Sequence, residues 1–133
     1  MISYSSGDVF KGIFSENEPK RGILNLHNGD EFDGFIREGE WSGEGSYRYA
    51  SGDYYSGHFK GGKRHGLGKM IFSNGDVYEG MWQAGQKHGK GRYRWKSEVV
   101  FEGQFWLDRR EGEGLLHYPD GMVIEGYWRN DIR

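Results

Sequence analysis

The chain has 133 residues, a formal net charge of −2 and no cysteine. That length suits one domain and leaves no block for a second; disulfides are excluded, and nothing calls for an oxidising compartment. No segment approaches the ~20 consecutive apolar residues of a membrane span, and the start, Met1-Ile2-Ser3-Tyr4, has neither a basic nor an apolar run, so a soluble cytoplasmic protein is expected.

Glycine, at 24 residues, and the aromatics, at 8 Phe, 9 Tyr and 5 Trp, are both abundant. Random glycine enrichment signals disorder, but here the glycines keep a fixed phase. An aromatic-x-Gly unit occurs as Phe10-Lys11-Gly12, Phe32-Asp33-Gly34, Tyr55-Ser56-Gly57, Tyr78-Glu79-Gly80, Phe101-Glu102-Gly103 and, with Ile in the aromatic place, Ile124-Glu125-Gly126. The glycines stand 22, 23, 23, 23 and 23 residues apart. A Gly-x-Gly unit follows in phase at 43–45, 66–68, 89–91 and 112–114. Self-similarity at such a period marks tandem supersecondary units.

In chain order, residues 1–9 read as a half-repeat, the second strand of a preceding unit. Full repeats cover 10–31, 32–54, 55–77, 78–100 and 101–123, and 124–133 is a terminal half-repeat holding a lone first strand. Within each copy, residues alternate with period two: Tyr78, Gly80 and Trp82 share one strand face, and Gly89, Gly91, Tyr93 and Trp95 share one in the next strand. Each repeat is therefore a β-hairpin, its two strands joined by about six residues such as Gln83 to His88. Successive repeats join through Ser6-Gly7, Asn28-Gly29, Ser51-Gly52, Asn74-Gly75 and Asp120-Gly121, pairs that suit type I′ turns, while Ser97-Glu98 lacks its glycine. The expected fold is all-β, an elongated, single-layer antiparallel meander of 23-residue hairpins, twisted and grooved, growing ~10 Å per repeat.

These motifs resemble the MORN repeat (membrane occupation and recognition nexus). The resemblance covers residues 4–130 and is closest in Tyr55 to Gly68 and in the copy beginning at Tyr78. It implies a MORN-type fold, protein partners that are often cytoskeletal or membrane-associated, and frequent self-association.

The residues themselves favour a non-catalytic protein-protein interaction scaffold, because a single-layer sheet leaves aromatic surface that marks contact sites. Its aromatic-rich groove would accept a helical or extended partner segment through Tyr55, Phe59, Tyr78, Trp82, Tyr93, Trp95 and Phe105, all of which serve packing first. Trp41 and Trp106 stand at loop-phase positions where other copies carry polar residues; each is a partner anchor or a locally packed loop tryptophan. The strands near Tyr4 and Trp128, as free edges, could pair two copies into a homo-oligomer.

Charge is unevenly spread: repeats 55–77 and 78–100 each carry +3, and the flanking 32–54 and 101–123 each carry −3. Lys69, Lys87, Lys90, Arg92, Arg94 and Lys96 therefore form the alternative site, a peripheral module for anionic phospholipid (phosphoinositide) headgroups, with attraction of ~1 kcal/mol per basic residue. The acidic flanks argue against nucleic acid. Histidines 27, 58, 65, 88 and 117 lack the converging ligands of a zinc site, and the Gly-x-Gly pairs precede strands rather than a phosphate-binding helix. Neither catalysis, a metal nor a cofactor is expected.

Overall fold

The structure, a computed structural model, describes residues 2–3, 6–15, 18–37 and 40–132. They form twelve strands: β1 (Ile2–Ser3), β2 (Val9–Ser15), β3 (Glu18–Asn25), β4 (Glu31–Arg37), β5 (Glu40–Arg48), β6 (Tyr54–Lys60), β7 (Lys63–Ile71), β8 (Val77–Gln83), β9 (Gln86–Arg94), β10 (Val100–Trp106), β11 (Arg109–His117) and β12 (Val123–Trp128). All twelve lie in one antiparallel sheet in sequence order, and no helix occurs among the described residues. The meander expected from the repeat pattern is the architecture observed. Tyr4 and Gly39 fall outside the described residues.

The turns differ from the expectation, because the two turn types are exchanged between the sheet's long edges. At the Asn-Gly edge, Gly29 N–H donates to the Leu26 carbonyl at 3.0 Å and Leu26 N–H to that of Asp30 at 2.9 Å. Gly29 has φ 97° while Asn28 stays at negative φ, which is a three-residue loop with a glycine bulge and not a type I′ turn. Asn28 contributes its side chain instead, its Oδ1 accepting the Asp30 N–H at 3.0 Å in an Asx turn.

Type I′ geometry occurs at the other edge, where the sequence suggests six-residue loops. Both turn residues have positive φ at Gly61 and Gly62 (59° and 79°), Ala84 and Gly85 (49° and 85°), Leu107 and Asp108 (48° and 72°) and Asn130 and Asp131 (51° and 69°). Because only two residues turn the chain at Gly61-Gly62 and at Ala84-Gly85, His65 and His88 stand inside β7 and β9 instead of in loops, and Trp41 stands inside β5. The last turn brings Ile132 opposite Arg129, so β12 is followed by the opening of another hairpin.

Eleven strands each contribute one glycine to a row crossing the sheet in register, from Gly12 and Gly22 through Gly34, Gly45, Gly57, Gly68, Gly80, Gly91, Gly103 and Gly114 to Gly126. The motif aromatic lies over this row, covering a glycine of its own strand and one of the next. A Cβ on Gly91 would fall 2.5 Å from Cε1 of Tyr78, and one on Gly114 2.5 Å from Cε1 of Phe101. Phe32, Tyr55, Tyr78 and Phe101 are consequently wholly buried in a sheet with no second layer.

Between Gly80 and Trp82 the register slips against β9, and equivalent shifts occur beside Gly34, Gly57 and Gly103. The first glycine of Gly-x-Gly sits at this bulge in left-handed conformation, as Gly89 (φ 102°) and Gly112 (φ 82°) show. Tyr78 Oη donates to the Met81 carbonyl at 2.8 Å at the irregular position, and Tyr55 Oη does the same for His58 at 2.8 Å. The two glycines of the motif thus meet different demands, conformation at the first and clearance at the second.

That division predicts unequal costs. Alanine at Gly112, where an added Cβ meets open space, should cost roughly 1 kcal/mol from φ alone. Alanine at Gly91 must push the Tyr78 ring out of the core and should cost about 3 kcal/mol; urea unfolding of the two variants measures the difference.

Candidate functional site

One face of the sheet carries the buried aromatic core. The rings of Phe32, Phe59, Tyr55, Trp82, Tyr78, Phe105, Phe101 and Trp128 form a continuous zigzag in which each meets the next edge to face, at centroid distances of 4.8 to 5.5 Å and interplanar angles of 77° to 90°. Tyr55, Tyr78 and Phe101 each touch the ring four residues ahead in their own repeat and the matching ring of the following one, while Phe32, with Ile36 four residues ahead, meets only the Phe59 ring of that series. Such contacts add roughly 0.5–1.5 kcal/mol beyond burial, and they couple repeats that share no other layer.

This packing narrows the expected partner-binding set. Tyr55, Phe59, Tyr78, Trp82 and Phe105 are buried and face one another, so they build the floor and offer a partner little area. Tyr93 and Trp95 are half-buried, with ring centroids 5.0 Å apart. Trp41 is a packed strand residue: its ring stacks on Phe32 at 4.7 Å and 10° and meets Tyr47 at 5.0 Å. Trp106 is 60% exposed and leans on His88 at 4.4 Å. Trp128, at the free edge expected to pair copies, buries its ring against Phe101 at 4.8 Å.

A column of residues at one phase of the repeat completes the face. Trp41, Arg64, Lys87 and Arg110 are 23 residues apart and all reach over the aromatic floor. Arg64 lies 4.6 Å over the Trp82 ring and donates to Tyr49 Oη at 3.2 Å and to the Gly85 carbonyl at 2.6 Å. Lys87 Nζ stands among Tyr93 at 5.6 Å, Tyr78 at 5.8 Å and Phe105 at 6.0 Å, while Arg110 covers Trp95 at 5.5 Å. Cations so placed are held by ring quadrupoles. Lys87, Tyr93, Trp95, Phe105, Asp108, Arg110 and Asp131 line an open depression of about 260 Å³.

Carboxylates fix both rims. On the type I′ edge, Asp108 Oδ1 accepts the Lys87 N–H at 2.8 Å and Asp131 Oδ1 the Arg110 N–H at 2.7 Å. Asp108 N–H in turn donates to the Lys87 carbonyl at 2.9 Å, as Gly85 N–H does to that of Arg64 at 2.9 Å. Asp108, at the position that Gly62 and Gly85 hold in the preceding turns, thereby adds a second bond between repeats. On the opposite edge, Asp8, Asp30, Asp53 and Asp76 each accept a backbone N–H of the following turn, from His27, Ala50, Ser73 and Lys96, at 2.7 to 2.8 Å.

These bonds move ionisation equilibria. Burial pushes the Asp30 carboxyl up, but hydrogen bonds from Tyr47 Oη, Ala50 N–H and Asn28 outweigh it and leave the group below its ordinary value. The His27 side chain and N–H lower Asp8 likewise. Burial pushes the Tyr55 phenol up to about 12, with Arg64 pulling the other way; Tyr78 and Tyr93 also rise, chiefly by burial, so the face carries neutral phenols at physiological pH.

The expected basic cluster is divided by the sheet. Lys87 belongs to the aromatic face. On the opposite face Lys69 pairs with Glu79 at 3.9 Å and Arg92 with Glu102 at 3.5 Å, cross-strand neighbours of alternating sign. Lys90, Arg94 and Lys96 are exposed and make no ion pair among the described residues. Among those residues no group of three or more His, Cys, Asp or Glu side chains is arranged to hold a metal ion, and no helix is long and apolar enough to cross a membrane.

The family model described as MORN repeat matches residues 32–54, 55–77, 78–98 and 101–123. The chain belongs to the MORN-repeat family. No curated protein sequence matches it. Among solved structures, this MORN-repeat chain is similar in fold to the Drosophila melanogaster SAS-4 (dCPAP) TCP domain, solved in complex with a Proline Rich Motif of Ana2 (dSTIL). The TM-score is 0.55 at 17% identity, covering 95% of this chain and 81% of that one. The TCP10c domain of Drosophila melanogaster Sas-4 gives 0.41 at 18% identity, covering 96% and 90%.

The acid response of the fold follows from Asp30. A carboxyl whose folded value lies below its unfolded one stabilises the fold above the ordinary aspartate range, about pH 3.9, and loses that contribution as pH falls through the lowered value. Melting temperature should therefore fall on acidification below about pH 4, and Asp30→Asn should start lower at neutral pH yet show a shallower acid decline.

Proposed function

We propose that this MORN-repeat chain is a non-catalytic protein-binding scaffold whose aromatic face takes an extended segment of a partner protein. The observation that carries this reading is the line of half-buried rings and ring-held cations above a closed aromatic floor, typified by Tyr93, Trp95, Lys87 and Arg110. Aromatics and arginine dominate interface energies, and a rigid floor loses little entropy when it binds. The fold likeness to a TCP domain solved with a proline-rich motif is in keeping with an extended occupant. Such a scaffold would work in the cytoplasm, alongside cytoskeletal or membrane-bound partners.

The experiment is affinity selection of displayed peptide segments on the wild-type chain and on Trp95→Ala. Segments enriched on the wild type should lose about tenfold or more in affinity for the variant. Equal enrichment on both, or none, contradicts the proposal. Sedimentation with anionic vesicles that is lost in Lys90→Glu/Arg94→Glu would instead support the lipid reading.

A further inference from the structure

The rim of the aromatic face has a spacing of its own. Tyr49, Phe72, Trp95 and Tyr118 each follow directly on the second strand of a repeat, at β5, β7, β9 and β11, and are 23 residues apart. All four are half-buried, and Tyr49, Phe72 and Trp95 pack against the core. Every second strand of a sheet lies about 9.6 Å on, so these rings form a ledge with one ring per ~9.6 Å.

Three candidate partner conformations can be compared with that interval. A β-strand places its third residue about 9.9 Å on but on the opposite side, because its side chains alternate. An α-helix has a pitch of about 5.4 Å, so ~9.6 Å is not a whole number of turns. A polyproline II helix completes one turn in three residues and about 9.3 Å, returning every third side chain to the same side. Over the four rings the mismatch accumulates to only about 1 Å.

The chemistry of the ledge agrees. Polyproline II has no internal hydrogen bonds, so its carbonyls need donors from the surface they meet. The Trp95 indole N–H has no hydrogen-bond partner among the described residues, and Tyr118 Oη is likewise unengaged among them. Flat apolar rings beside such donors are what proline-rich segments dock against.

Resting on the proposed groove function, we infer that the occupant is a polyproline II segment with proline at every third residue, one helical turn per MORN repeat, each proline seated on one of Tyr49, Phe72, Trp95 and Tyr118. The segment then runs along the repeat axis, in either direction, and crosses the strands instead of following them.

Two synthetic peptides of roughly twelve residues test this on the whole chain: four Pro-Ala-Ser triplets, and the same composition with prolines two and four residues apart. Tryptophan fluorescence and indole N–H chemical shifts report binding. The periodic peptide should bind saturably, shift the Trp95 indole signal, and bind about tenfold more tightly than the rearranged one; Trp95→Ala should abolish the preference while leaving the far-UV spectrum unchanged. Equal affinity for both peptides overturns the inference. If display-selected segments bind in a Trp95-dependent way but show no proline periodicity, the inference fails and the groove function stands; if no segment of any kind binds, both fail.

Discussion

The constraint on which the rest depends is the seating of one aromatic ring over a pair of facing glycines. A single-layer sheet has no second layer to bury its apolar side chains, so its core must be made within the thickness of one face. The missing Cβ atoms along the row from Gly34 to Gly114 let Phe32, Tyr55, Tyr78 and Phe101 lie down against the backbone, where they are wholly buried. Once flat, each ring presents its edge or face to Phe59, Trp82, Phe105 or Trp128, and the zigzag becomes the spine of a core that Tyr47 and Met70 complete. Bulges beside the glycines and the phenol bonds to the Met81 and His58 carbonyls are consequences of the same arrangement.

A core of this kind leaves a finished surface above it. Because the floor rings satisfy one another, the groups that a partner would meet under the proposed function are those one step outward: the rim rings and the cations of the Arg64, Lys87 and Arg110 column. Those cations are not spare charge. Lys87 and Arg110 are matched by Asp108 and Asp131 at the turns, at 3.7 and 3.1 Å, so the face is polarised yet nearly neutral, which suits a segment of protein better than a highly charged polymer. Under the proposed function, rigidity in the floor and fixed carboxylates at both rims would hold the ledge in place before a ligand arrives.

Much of this is legible in the residues, and what is hidden has a physical reason. The repeat length, the strand pairing and the sequential sheet follow from the phase of aromatic-x-Gly and Gly-x-Gly. The turn types do not, because Ala84 and Leu107 carry no turn preference, so the tight turns they form look like long loops. The Asn residues mislead for a complementary reason: Asn28 and Asn74 act through their side-chain oxygens, not through left-handed backbone. An expected loop position for Trp41 has the same origin. Its true setting is signalled by spacing alone, since Arg64, Lys87 and Arg110 recur at its phase. The aspartates at 8, 30, 53 and 76 carry an equally plain period.

The most direct test is a double-mutant cycle between Tyr78 and Gly91, read by urea unfolding. If ring clearance is the reason for the glycine, Gly91→Ala should be costly beside tyrosine and nearly free in a Tyr78→Leu background, giving a coupling of about 3 kcal/mol. Should Gly91→Ala cost the same in both backgrounds, the glycine row would serve backbone conformation alone, and ring clearance would not be what makes a single-layer core possible.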